Sequence, residues 1–174
     1  FATPPPRVST VPTTKSETQP IKQEQPISNP NARILAYVDA ISDGNLGAWA
    51  FALIDKPSNF ALFKGNAHRH STGTRALLQG CVEVLSSLKN RQHHVEIRTA
   101  SLELFELLKS IIHTPSVETI PEIWSRDSAF VSQLSFWIEQ STVTPRLLSE
   151  SEQDNDAAIQ ETHEICIRAL SQLN

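Results

Sequence analysis

The stretch from Ile34 to Ile54, ILAYVDAISDGNLGAWAFALI, constrains this chain more than any other. Two apolar runs flank Ser42-Asp43-Gly44-Asn45, where Gly44 suits a positive φ, so the stretch predicts two antiparallel strands joined by a tight turn. One carboxylate, Asp39, interrupts the first run. A buried carboxylate needs a metal, a partner or water; the other reading is an Asp at a strand end that caps the turn. The second run, Gly47 to Ile54, alternates small and large side chains, the pattern of a strand whose two faces pack differently. Asp55-Lys56-Pro57-Ser58-Asn59 reads as another turn and Phe60 to Asn66 as a third strand. A three-stranded antiparallel meander therefore opens the domain.

Beyond the loop His68-Arg69-His70-Ser71-Thr72-Gly73, a helix starting near Thr74 puts Leu77, Leu78, Cys81, Val82, Leu85 and Leu88 on one face. Residues 94–100 alternate as a short fourth strand. Leu102 to His113 is a second helix, ended by Thr114-Pro115, and Ile120 to Gln140 holds a third helical stretch around Phe130 and Trp137. Val143 to Leu148 is a fifth strand that Pro145 confines to an edge or a bulge. The closing helix spans Asp156 to Leu173 and turns Ala158, Thr162, Ile165, Ala169 and Leu173 to the core. The acidic run before it reads as capping, with Asp154 or Asn155 as the cap.

The chain has 174 residues, room for one domain and a tail. Residues 1–33 hold seven prolines and, after Phe1, no aromatic residue, so they are expected to be a disordered linker to a domain at 34–174. Pro4-Pro5-Pro6 offers a polyproline II ligand, with a plain spacer the simpler reading. The first residue is Phe, as in a processed product or a piece of a longer protein. Arg7, Lys15, Lys22 and Arg33 against Glu17 and Glu24 make the tail +2; the whole chain is −4, which leaves −6 for the domain. Such a balance argues against general nucleic-acid binding, which draws on Lys and Arg at phosphates. No run approaches the roughly 20 apolar residues of a membrane span, and no signal peptide is legible. An intracellular, cytoplasmic protein without membrane contact is the expectation.

Candidate chemistry is sparse. Cys81 and Cys166 fall on apolar helix faces as small hydrophobes. His68 and His70 form an HxH pair without a third ligand at zinc spacing, so they read as solvated loop imidazoles, and His163 reads as a surface residue. No Gly-x-Ser-x-Gly elbow and no phosphate-binding glycine loop occur. Trp49, Trp124 and Trp137 fit core positions.

Tyr37-Val38-Asp39, then Gly44 and Gly47-Ala48-Trp49-Ala50, resemble the first hairpin of type 1 ribonuclease H, and Thr72-Gly73-Thr74-Arg75 resembles the Thr-Asn-Asn-Arg that introduces its first helix. The resemblance runs over 34–173. It implies a ribonuclease H-like α/β fold: an antiparallel meander extended by parallel strands, with helices on both faces. It also implies hydrolysis of RNA in RNA–DNA hybrids by two Mg²⁺ ions held by four acids, Asp39 standing at the first ligand position. The other three positions carry Leu77, Ala100 and Ile159. Glu83 lies six residues past Leu77, about 240° around the helix and off the site.

The resemblance therefore implies a domain that has lost the metal site, needs no cofactor and acts by binding. Its partner would be a protein, or an RNA–DNA hybrid or other nucleic acid touched through Arg69, Thr72, Thr74 and Arg75. The alternative is a divergent Mg²⁺-dependent ribonuclease H in which Asp39, Asp43 and acids from 150–156 rebuild the site. A structural subunit of a larger assembly, marked by an exposed apolar patch, is a third reading.

Overall fold

The computed structural model describes residues 32–88, 94–113 and 121–173. The expectations for residues 1–31, for Thr114-Pro115 and for Ile120 lie outside the described residues. The elements are β1 (Ile34–Asp43), β2 (Leu46–Asp55), β3 (Phe60–Arg69), α1 (Gly73–Ser86), β4 (His94–Thr99), α2 (Leu102–His113), α3 (Ser128–Glu139), β5 (Thr142–Leu147), α4 (Glu150–Asn155) and α5 (Ala157–Ser171). A 3₁₀ segment, Glu122–Asp127, leads into α3.

Among the described residues the strands form one sheet in the order β3-β2-β1-β4-β5. The meander is antiparallel, with Asp39 opposite Ala50 in β2, and β4 and β5 add in parallel beside β1. Gly44, at φ 62°, and Asn59, at φ 58°, supply the left-handed positions of the two hairpin turns. Pro145 sits on β5, an edge strand, where its missing N–H is harmless.

The alternation in β2 sets the two layers. Trp49, Phe51 and Leu53 point with Ile34, Ala36 and Val38 into the large core under α1, α2 and α3. Ala48, Ala50 and Ala52 point the other way, where small side chains let α5 lie close; Cys166 and Leu170 pack on Ala48 and Ala50, and Ala52 packs with Tyr37 and Leu148. Gly65 completes this close approach: a Cβ there would stand 2.5 Å from Ile165 Cγ2. Helices therefore cover both faces, as the sequence predicts.

Three boundaries differ from the sequence reading, the first being β3, which runs on to Arg69 instead of ending at Asn66. The stretch 120–140 divides into the 3₁₀ segment and α3. The closing helix begins at Ala157, and its cap is Asp156, whose Oδ1 accepts from Ala158 N at 2.8 Å; neither Asp154 nor Asn155 takes that place. Before it, α4 is a separate short helix held by a capping box, in which Ser149 Oγ accepts from Glu152 N and Glu152 Oε1 accepts from Ser149 N.

Candidate functional site

Side chains alternate along a strand, so with Val38 pointing to α1, Asp39 must point to α5. There it meets the second turn of α5: His163 Nδ1 lies 2.7 Å from Asp39 Oδ2, and Cys166 Sγ donates to Asp39 O at 3.5 Å. The Asp39 side chain is 31% exposed and the His163 ring 51%. Arg75, the arginine of the turn before α1, is on the far side of the sheet, so the strand's parity excludes it as the partner of Asp39. His163 is a surface residue, as its sequence context indicates, yet it is also the partner of the one carboxylate the sequence singled out. Its position three residues before buried Cys166, on the flank of the helix's core face, is the signal that places it near the sheet.

Asp39 and His163 open onto a groove of about 820 Å³, lined also by Tyr37, Arg98, Ala100 and Ile159. Asp154, Glu161 and Glu164 stand along it. Among the described residues no three His, Cys, Asp or Glu side chains converge closely enough to hold a metal ion. Leu77 is buried in the core layer under α1, across the sheet from Asp39. Ile159 packs beside Tyr37 and Leu148.

Under the groove lies a nearly dry polar layer. Arg98 Nε donates to Glu96 Oε2 at 2.6 Å, and Arg98 NH1 donates to Tyr37 Oη at 2.6 Å. Tyr37 Oη in turn donates to Asp156 Oδ2 at 3.1 Å. Glu96 is fully buried and Tyr37 is 4% exposed. Burial pushes the Tyr37 phenol well above its ordinary range; Arg98 pulls it down and Asp156 pushes it up. Burial works against the Arg98 charge, but Tyr37 and Glu96 more than offset it. On the neighbouring strand Arg146 pairs with Glu152. Burial disfavours the Glu152 charge, yet the Ser149 N–H and Arg146 hold its carboxyl below the ordinary value.

The second candidate surface is the turn before α1, at the C-terminal end of β1, where Gly73 approaches Ser42. Thr72 caps the helix, its Oγ1 accepting from Arg75 N at 3.1 Å and lying 3.0 Å from Thr74 Oγ1. Gly47 lets this turn fold onto the hairpin: a Cβ there would stand 2.7 Å from Ser71 Oγ. Thr72, Thr74 and Arg75 are thus brought together. Arg75, however, donates through Nε to Asp127 Oδ1 at 2.8 Å, and Asp127 is only 6% exposed. Arg69 turns away and donates to Leu173 O at 2.7 Å. The HxH pair is not a pair of loop imidazoles: His68 belongs to β3, and its Nε2 accepts from Trp49 Nε1 at 3.3 Å and lies 3.2 Å from Gln79 Nε2. Since an indole N–H only donates, the His68 proton sits on Nδ1.

Solved structures share this architecture. LC11 ribonuclease H1, in complex with an RNA/DNA hybrid, is similar at a TM-score of 0.61 and 13% identity, over 80% of this chain and 98% of that one. The fold is ribonuclease H-like. Ribonuclease H1 of the halophilic archaeon Halobacterium salinarum NRC-1 gives a TM-score of 0.57 and 16% identity over 80% of this chain and 98% of its own. The N-terminal ribonuclease H domain of a Mycobacterium tuberculosis protein, fused there to maltose-binding protein, gives 0.62 and 13% over 82% and 99%. No family model matches the sequence, and no curated protein does. At such identities the likeness speaks to the ribonuclease H-like fold and not to an activity.

Proposed function

We propose that this ribonuclease H-like domain works by binding a partner and not by hydrolysing nucleic acid. The state of Asp39 carries the reading: its carboxylate already faces His163 Nδ1 at 2.7 Å. At the other positions where the resemblance implies metal-holding acids stand Leu77, Ala100 and Ile159, whose hydrocarbon side chains offer no oxygen. This donor set does not fit two Mg²⁺ ions, which are held by carboxylates on both sides of the reacting phosphate. In the divergent-nuclease reading Glu152 and Asp156 serve a metal only by leaving Arg146 and Tyr37, which leaves Asp154 as the further acid along the groove with Asp39.

Two observations bear on the partner. Phe60 and Leu62 on the edge strand β3 are 63% and 43% exposed, which supports a protein partner. The exposed turn of Thr72, Thr74 and Arg75 supports a weaker nucleic-acid contact, as does the hybrid bound by a protein of the same fold.

The test is a hybrid-cleavage assay with Mg²⁺ or Mn²⁺, run beside thermal melting. The expected result is no cleavage, no metal-dependent change in melting, and a loss of at most about 1 kcal/mol in Asp39→Asn, since the pair with His163 is half-exposed. Metal-dependent cleavage that disappears in Asp39→Asn overturns the proposal. If the turn meets phosphates, Arg75→Ala lowers the salt slope of hybrid binding by about one counterion, and Arg69→Ala leaves it unchanged.

A further inference from the structure

The resemblance implies metal ligands on β1, after β4 and on α5; here the buried layer beside Asp39 contains cations of its own, Arg98 and Arg146. Arg98 of β4 and Arg146 of β5 are register neighbours, with side chains 6% and 7% exposed. Arg98 binds Glu96 on its own strand and, through the Tyr37 hydroxyl on β1, is linked to Asp156, the cap of α5. Arg146 binds Glu152, the third residue of α4 and the acid of its capping box. Two guanidinium groups side by side in a nearly dry layer repel each other, and such a layer is tolerable only when carboxylates surround them in good geometry. Glu96 meets Arg98 and Glu152 meets Arg146 directly, and Asp156 is joined to Arg98 through the Tyr37 hydroxyl.

We infer that Arg98 and Arg146 are resident cations that seat α4 and the first turns of α5 on the sheet, so that the groove beside Asp39 keeps its shape without a divalent ion. The inference rests on the non-catalytic reading of that groove. Guanidinium suits the role because it stays charged and directs several N–H donors along fixed lines, linking one strand to the next and to a helix start. It also accounts for two of the four acids of 150–156: Glu152 and Asp156 are counter-charges of this layer, not spare metal ligands.

Amide hydrogen exchange of the full chain tests it. In the unmodified protein, exchange across 150–163 should be the same in Mg²⁺, in Mn²⁺ and in chelator. Arg98→Met and Arg146→Met should each raise exchange in that segment roughly tenfold or more, while β2 and α1 keep their protection. Glu152→Gln, a milder change from the opposite side of the layer, should loosen the same segment to a smaller degree, and it decides the matter if an arginine variant does not fold. Unchanged local exchange in the folded variants, or protection of 150–163 by divalent ions in the unmodified chain, overturns the inference. Hybrid cleavage by the unmodified chain would instead sink the proposed function, so the two failures are distinguishable.

Discussion

Tyr37→Phe removes one oxygen and leaves the packing of the ring intact, so it isolates the hydroxyl that joins Arg98 to Asp156. The ring is buried beside Ala52 and Leu148 in either residue, and the apolar contribution is therefore unchanged. What is lost is the acceptor 2.6 Å from Arg98 NH1 and the donor 3.1 Å from Asp156 Oδ2. Hydrogen bonds to charged groups contribute about 1.5–3 kcal/mol each. The Arg98 end is buried and should show nearly that full amount. Asp156 is half-buried and regains water, which reduces its share to about 0.5–1 kcal/mol. The expected loss is about 3 kcal/mol, or a fall in Tm of roughly 6–12 °C for a chain of this size. Urea unfolding followed by circular dichroism measures it, and a double-mutant cycle with Arg98→Met isolates the coupling. A loss below about 0.5 kcal/mol, or a gain, would refute the view that this hydroxyl holds the closing helix to the strands.

Two further outcomes are open to measurement. Gly65→Ala should destabilise by about 1–3 kcal/mol because its Cβ meets Ile165, and the loss should shrink in an Ile165→Ala background; an equal loss in both would mean that the approach of α5 is not the cause. Glu152, held below its ordinary value of 4.5, contributes stability that is fully present above about pH 4.5 and is lost as pH falls through its lower folded value. Glu152→Gln should flatten the stability-against-pH curve in that acid range, and an unaltered curve would contradict the assignment.

The meander was legible because period-two patterning and turn chemistry agree at each step, and because small and large residues alternate in β2 as the two layers require. The break between α4 and α5 was harder to see. Ser149 and Glu152 have the spacing of a capping box, but Asp154, Asn155 and Asp156 are each good caps, and local preference alone cannot rank them. Tertiary contact ranks them, since only Asp156 reaches Tyr37. The partner of Asp39 is 124 residues away and depends on which face of β1 carries the acid. Parity along the strand rules out Arg75, but choosing His163 needs the register of α5 on the sheet, which no local pattern encodes.

The internal use of positive charge bears most on what this surface can bind. A phosphate backbone is held by cations that exchange solvent counterions for phosphate. Arg33, Lys64, Arg75 and Arg168 each already lie within 4 Å of a carboxylate, and Arg69 is turned to the Leu173 carbonyl. For Arg75 to serve a phosphate it must share its charge with Asp127 or leave it, and Asp127, 6% exposed, would then be a buried carboxylate short of its cation. The Arg75 end of the pair is half-exposed, so its loss costs less than that of a fully buried pair, yet it leaves the Asp127 carboxylate short of its cation. Hybrid binding through this turn therefore competes with the Arg75–Asp127 pair at the start of α3. A partner that meets the edge of β3 through Phe60 and Leu62 lies beside the exposed Lys64–Glu83 pair, whose loss costs little, and on that ground we favour a protein partner for this ribonuclease H-like domain.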